Sequence, residues 1–205
     1  WLVLYRYYDR RYQAFFGQAF GQNTSVQNEQ GVYLGMELVP VARWKLTASA
    51  DFFRFPWLRY GVDAPSSGQE YKALLSYTPS AVFSVSLRYA YKTREENASG
   101  AASASARVLP VGQQRLRVQA VGSPASALLL RTSAEGISRQ PVSGPARKGI
   151  LLTQAAGWKP ASPAFQGDVS VSWFRTDDYA TRLSAYEKQL LYAFSSASLY
   201  GKGFR

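Results

Sequence analysis

The chain has 205 residues with 24 Lys and Arg against 13 Asp and Glu, a net charge of +11, and 46% of its residues are apolar. Cysteine and histidine are both absent, which excludes disulfides, thiol nucleophiles, zinc sites built on Cys or His, and Ser-His-Asp catalysis. No apolar run reaches the roughly 18 residues that a transmembrane helix requires.

Apolar and polar residues alternate along most of the chain, and a period of two predicts half-buried β-strands. In chain order the clear runs begin at Val32, Trp44, Tyr71, Phe83, Leu116, Leu128 and Phe165, with weaker ones at 1–7 and 149–158. These are nine strands, and a tenth is predicted near 188–194. The one candidate helix, 12–20, is short and contains Gly17. We therefore predict an all-β fold: an antiparallel up-and-down meander of about 9–10 strands in a single domain, 1–205.

Two kinds of connection alternate between these strands. Short ones at 39–43, 78–81, 122–127 and 159–164 contain proline, whereas long ones at about 9–30, 56–69, 93–113, 136–148 and 176–187 are polar or glycine-rich. Short turns at one end and long loops at the other are typical of bacterial outer-membrane barrels. This layout predicts a segment of a larger transmembrane β-barrel, with the prolyl turns on the periplasmic side.

The faces of the strands can be assigned from the same alternation. Aromatic residues at the ends of the apolar rows match the girdles of membrane barrels, so the following residues are predicted to face lipid: Phe83, Val85, Leu87, Tyr89, Val169, Val171 and Trp173. Basic residues of the opposite face are predicted to line the lumen: Arg88, Lys92, Arg115, Arg117 and Arg131. The alternative is a soluble secreted β-sheet binding protein, whose polar face would be its wet outside.

A cationic wall of this kind would attract anions and set permeation selectivity. The alternative is that these residues pair with acidic ones (Asp51, Glu70, Glu135 and Asp168) and only stiffen the lumen. The aromatic loop after the third strand offers a second candidate site at Phe55, Trp57 and Leu58. Those side chains either contact a partner or a lipid or pack onto neighbouring loops.

Several stretches resemble a known family. QNEQGVYLG at 27–35, DFFRFPWLRYGVDAPSSGQEY at 51–71, the Lys92, Arg94 and Asn97 segment, and AYEKQLLYAFSSASLYGKGFR at 185–205 resemble the barrel region of Bacteroidota-type outer-membrane proteins. Members of that family carry N-terminal helix-hairpin-helix repeats similar to those of competence proteins. The resemblance implies an outer-membrane barrel with more strands than these. The repeats that suggest DNA are absent from these residues, so a nucleic-acid role is unsupported.

No catalytic, cofactor or metal site is predicted. The carboxylate pairs Glu95-Glu96 and Asp177-Asp178 are interpreted as solvated charges at the rim, because neighbouring residues of an extended chain point to opposite faces. Two functional classes stay open: a transport or channel component of the bacterial outer membrane, and a structural or docking barrel whose loops bind another envelope protein. The predicted partner is the lipid bilayer. We also expect that the sheet does not close on itself, with 201–205 forming a loop.

Overall fold

The computed structural model describes residues 1–13, 19–23, 26–98, 107–160, 165–185 and 197–205. The protein is all-β, as predicted, with one ten-stranded sheet and one small two-stranded sheet. The strands are β1 (Leu2–Tyr8), β2 (Glu29–Leu38), β3 (Trp44–Phe55), β4 (Ser66–Ser80), β5 (Phe83–Asn97), β6 (Val108–Ala125), β7 (Leu128–Gln140), β8 (Arg147–Trp158), β9 (Gly167–Thr176), β10 (Leu183–Ala185), β11 (Ala197–Leu199) and β12 (Lys202–Phe204). A short 3₁₀ helix, η1, covers Tyr179–Thr181. No helix among the described residues is long and apolar enough to cross a membrane.

The large sheet is an antiparallel meander in which β1 to β9 follow one another in chain order and β12 pairs with β9. The predicted topology is therefore confirmed. Short and long connections alternate from β1 to β7, where β4 and β5 are separated by 81–82 and β6 and β7 by 126–127, whereas β1 and β2 are separated by 9–28. The prediction is wrong beyond β7, because the expected long loop between β7 and β8 is 141–146 and the expected short turn between β8 and β9 is the longer 159–166. We call the two ends of the sheet the short-turn end and the long-loop end.

Three strands are longer than the alternation indicated. β4 and β5 have 15 residues each and β6 has 18, so the loop predicted at 93–113 narrows to 98–107. The predicted loop at 136–148 likewise narrows to 141–146. Polar residues and Pro110 end the apolar alternation, but the backbone pairing of β5 with β6 continues to Asn97 and Val108. The pattern that identifies a strand depends on an apolar face, whereas the strand itself depends on its backbone partners.

The last strand of the sheet corrects the prediction for the end of the chain. Lys202–Phe204, expected as a loop, forms β12 and pairs with Arg175, Phe174 and Trp173 of β9. Three residues that include Gly203 are too few to show alternation. The tenth strand predicted near 188–194, and most of the helix considered at 12–20, lie outside the described residues.

The ten strands form an open sheet with β1 and β12 at its edges. Among the described residues, β1 pairs with β2 and β12 pairs with β9. The expectation that the sheet does not close on itself is confirmed for this part of the chain.

Cross-strand register separates two faces. One continuous row of partners from β2 to β12 is entirely apolar and consists of Leu38, Leu46, Leu75, Leu87, Val118, Ala134, Leu152, Trp173 and Phe204. The neighbouring row is polar and consists of Lys45, Ser76, Ser86, Gln119, Ser133, Thr153 and Ser172. We call the sides that carry these rows the apolar face and the polar face.

Exposure is inverted relative to a soluble protein. Large side chains of the apolar face are exposed, including Val3 at 71%, Tyr5 at 66% and Val169 at 69%. Buried side chains of the strands lie on the polar face, including Arg6, Asp51 and Glu135. Soluble proteins rarely leave so continuous an apolar surface uncovered.

Substitution of two glycines, one on each face of the sheet, compares how tightly the two faces are packed. A Cβ at Gly68 would lie 2.5 Å from the Phe53 ring and from the carbonyl oxygen of Thr93. We expect Gly68→Ala to lower the free energy of unfolding by about 1–3 kcal/mol, as overpacking does. The matched control is Gly136→Ala on β7, where a Cβ meets nothing within 4 Å. Chemical denaturation measures both, and equal losses would contradict the register described here.

Candidate functional site

A buried ion cluster joins the first three strands on the polar face. The Arg6 guanidinium donates to Glu29 Oε1 at 2.7 Å and, in a bidentate pair, to Asp51 Oδ1 at 2.7 Å and Oδ2 at 3.0 Å. Arg6, Glu29 and Asp51 are 3%, 1% and 4% exposed. Gly31 makes room for them, because a Cβ there would lie 2.9 Å from the guanidinium carbon of Arg6. Paired charges with this many hydrogen bonds are the form in which ions tolerate burial.

The loop between β1 and β2 folds back over this cluster. The backbone N–H of Gln22 donates to the Glu29 carboxylate at 2.9 Å, and its side-chain amide donates to Asp51 at 2.5 Å and Glu70 at 3.1 Å. The Lys92 ammonium donates to the Gln22 side-chain oxygen at 2.6 Å. One glutamine thus connects the loop to four strands, β2 to β5. The described part of the loop around Gln22 therefore lies on the polar face.

A second segment covers the other side of the polar face. Leu183 of β10 and Leu199 of β11 are buried with Ile137 of β7 and Leu151 of β8, and Phe174 packs against them. The Asp178 carboxylate accepts from the Thr181 backbone N–H at 3.0 Å, which fixes η1 beside this core. Both covering segments belong to the long-loop end, so the polar face is narrowed there from two directions.

Between the two covering segments the polar face has a charged cavity of about 320 Å³. It is lined by Glu70, Lys72, Arg88, Ala90, Lys92, Gln113, Arg115, Arg117 and Glu135. Five cationic side chains face two carboxylates, an excess of three positive charges. We call it the basic cavity.

Four of the five predicted lumen-facing basic residues line the basic cavity, namely Arg88, Lys92, Arg115 and Arg117. Arg131 is on the same face but lies toward the short-turn end, paired across from Val121 and Ala155. Lys72 was not among the predicted lumen-facing residues, because those were taken only from the strands that follow β4. Sequence reasoning also missed Gln22, since nothing in a polar loop indicates where its side chain will lie.

Acidic partners neutralise only part of this charge. Glu135 is shared by Arg115 at 3.4 Å and Arg117 at 3.8 Å, and Glu70 pairs with Lys72 at 3.0 Å. Asp51 is occupied by Arg6. Within the described residues Arg88 has no ion pair, and the buried Nε of Arg117 has no hydrogen-bond partner. The cavity therefore keeps donors that an anion would satisfy.

The seven residues predicted to face lipid all lie on the apolar face, in two strands of the sheet. Phe83, Val85, Leu87 and Tyr89 lie on β5, and Val169, Val171 and Trp173 lie on β9.

The three residues predicted as a loop contact site differ in their exposure. Phe55 is only 2% exposed and lies under the Arg59 guanidinium at 4.8 Å, so its side chain is not accessible to a partner. Trp57 and Leu58 are 55% and 48% exposed. The Asn28 side-chain amide donates to the Trp57 carbonyl oxygen at 2.8 Å. The Asn28 side-chain oxygen accepts from the Trp57 backbone N–H at 2.9 Å. The loop is thus anchored at its base and open at its tip.

No family model, curated protein or solved structure matches this chain. The resemblance to Bacteroidota-type barrels therefore stays a prediction. Within the described ranges, no three His, Cys, Asp or Glu side chains are grouped so as to hold a metal ion.

The buried ion cluster makes a direct stability prediction. Arg6→Met leaves Glu29 and Asp51 buried without their cation, which should lower the free energy of unfolding by about 3–5 kcal/mol. The matched control is Lys45→Met, because Lys45 pairs with Glu37 at 2.9 Å with both side chains more than half exposed, and such pairs contribute about 0–1 kcal/mol. Chemical denaturation of both variants under the same conditions checks this. A loss for Arg6→Met no larger than for Lys45→Met would show that the cluster is not a stabilising element.

Proposed function

We propose that this chain is part of a transmembrane β-barrel of the bacterial outer membrane and that the barrel is a transport component with a basic interior. The observation that carries the proposal is the continuous apolar face, exposed across the ten strands, while the charged side chains of the mid-strand rows lie on the opposite face. In a transmembrane barrel the outward band is apolar and the interior is polar.

The soluble alternative explains the apolar face less well. A sandwich would require a second layer to cover that face, and the second layers present among the described residues, the β1–β2 loop and the β10–β11 pair, both cover the polar face. Exposed apolar patches above a few hundred Å² are rare on soluble monomers. Acyl chains would cover the apolar face at no such cost.

The open edges of the sheet bear on whether these ten strands form the whole barrel. An unpaired strand edge cannot face lipid, because each unsatisfied backbone group there costs several kcal/mol. We propose that strands outside the described ten complete the barrel between β1 and β12.

A transport role is supported by the charge of the basic cavity. Its excess of cations and its incompletely paired donors, Arg88 and Arg117 Nε, favour entry of anionic solutes. The substrate class is therefore anionic.

A second candidate function is a docking barrel whose long loops bind an envelope protein. The observation that favours it is the pair of segments that narrow the polar face at the long-loop end, together with the exposed tip at Trp57 and Leu58. Conductance separates the two candidates. A docking barrel should pass no ions in planar bilayers, and a photo-crosslinker at position 58 should then give one discrete adduct in native membranes.

Adjacent residues of β5 test the assignment of the apolar face to lipid. Leu87→Arg places a charge in the middle row of the apolar face and should lower the stability of the inserted protein by about 2–4 kcal/mol. Arg88→Leu changes the opposite face and should have a much smaller effect. Folding of the full-length protein into liposomes, followed by denaturant titration, measures both. Equal losses would exclude the proposed lipid contact.

Charge reversal in the basic cavity tests the transport role. Arg88→Glu should shift the reversal potential of single channels toward cation selectivity, because Arg88 lines the cavity and lacks an ion pair there. Arg131→Glu is the matched control on the same face outside the cavity and should shift it less. Conducting channels with the same selectivity in both variants would remove the cavity from the conduction path.

A further inference from the structure

A shallow trough of about 560 Å³ interrupts the apolar face near the long-loop end. Gly136 of β7 forms its floor between its register partners Leu116 and Ile150, with Tyr89 beyond Leu116. A Cβ at Gly136 would meet no atom within 4 Å, so the missing side chain leaves room between two apolar walls. The volume falls within the range of small-ligand sites, roughly 300–1,000 Å³.

One end of the trough is cationic. Arg175 of β9, the register partner of Ile150, lines this end together with Lys148. Lys202 of β12 is the register partner of Arg175 and lies just beyond the lining, so these two cations lie directly opposite each other. Like charges in that position destabilise a sheet. Among the described residues neither has an ion pair. Asp177 also lines the trough, but its carboxylate accepts from the Lys148 backbone N–H at 2.8 Å.

The trough lies next to the aromatic end of the apolar face. Tyr89 on its rim and the stacked pair Tyr71 and Tyr91, with ring centroids 6.4 Å apart, form the aromatic end of the apolar face. Tyrosines are enriched at the membrane–water interface. Gly136, Arg175 and Lys202 lie in one register row, two residues along their strands from the Leu87 row and toward this aromatic end. From there the long side chains of Arg175 and Lys202 can extend toward the headgroups while their stems stay on the apolar surface.

We propose that this trough is a binding site for a phosphate-bearing membrane lipid. The phosphate lies between Arg175 and Lys202 and relieves their repulsion, and one acyl chain follows the floor over Gly136. The inference rests on the proposed function, since it requires that the apolar face contacts lipid. A soluble phosphate would use only the cationic end, whereas a membrane lipid uses both ends of the trough.

Two variants and two controls separate the parts of the site. Arg175→Gln with Lys202→Gln removes the phosphate contacts, and Gly136→Val fills the floor at a position with space for it. The matched controls are Arg54→Gln, an exposed cation of the apolar face on β3 outside the trough, and Ala134→Val, which adds apolar volume two residues from Gly136 on the same face. The full-length protein is first tested for insertion by flotation with liposomes. Native mass spectrometry then measures retention of phosphatidylglycerol against phosphatidylcholine with the same acyl chains.

We expect the unmodified protein to retain phosphatidylglycerol in preference to phosphatidylcholine. The double charge variant should weaken that association about 25-fold, taking about fivefold for each cation at a membrane surface. Gly136→Val should also weaken it, and the two controls should not. Excess inorganic phosphate should fail to displace the lipid.

Other outcomes overturn the inference in distinguishable ways. Failure of the protein to insert would refute the proposed function and this site with it. Insertion without a phosphatidylglycerol preference, or an equal loss in Arg54→Gln, would refute the site alone and leave the proposed function intact. Displacement by inorganic phosphate, or retention of a protein subunit on this face in place of lipid, would likewise refute a lipid site.

Discussion

The register of strand pairing is the constraint on which the rest of this structure depends. Each strand contributes alternate residues to alternate faces, so a slip of one residue at any pair would move its whole apolar set to the polar side. The unbroken apolar row from Leu38 to Phe204 requires that eight successive pairings agree. The basic cavity follows from the same register, because it aligns Arg88, Arg117 and Glu135 as direct partners on β5, β6 and β7.

Buried charged side chains fix the packing of the polar face. Arg6, Glu29 and Asp51 satisfy one another across β1, β2 and β3, and Gln22 then joins the first loop to β2 through β5. A buried ion cluster tolerates little displacement, since each charge depends on the position of the others. The polar face thus has a rigid part near β1 and a less completely paired part at the basic cavity, where a charged solute could be accommodated.

The strands and their faces could be predicted from the sequence because both follow from local alternation. Phe83 to Tyr89 illustrates this, since its apolar and polar residues separate within one strand. The extension of β5 and β6 to Asn97 and Val108 could not be predicted, because polar residues paired only through the backbone carry no apolar signal. β12 was missed because three residues are too few to show a period. The positions of Gln22 and Phe55 depend on partners distant in the chain, so no local pattern indicated that one closes over the ion cluster and the other is buried.

The connectivity of the sheet has a consequence for how it forms. Eight of its nine strand pairings join sequence neighbours, so each new strand pairs with the strand that directly precedes it in the chain. Pairings between sequence neighbours give a lower contact order than pairings between strands that are distant in the chain. The pairing of β9 with β12 is different, because Thr176 and Lys202 are separated by the segment that contains η1, β10 and β11. Leu183 and Leu199 of that segment pack against Ile137 and Leu151, so docking of the β10–β11 pair and completion of the sheet edge by β12 are coupled.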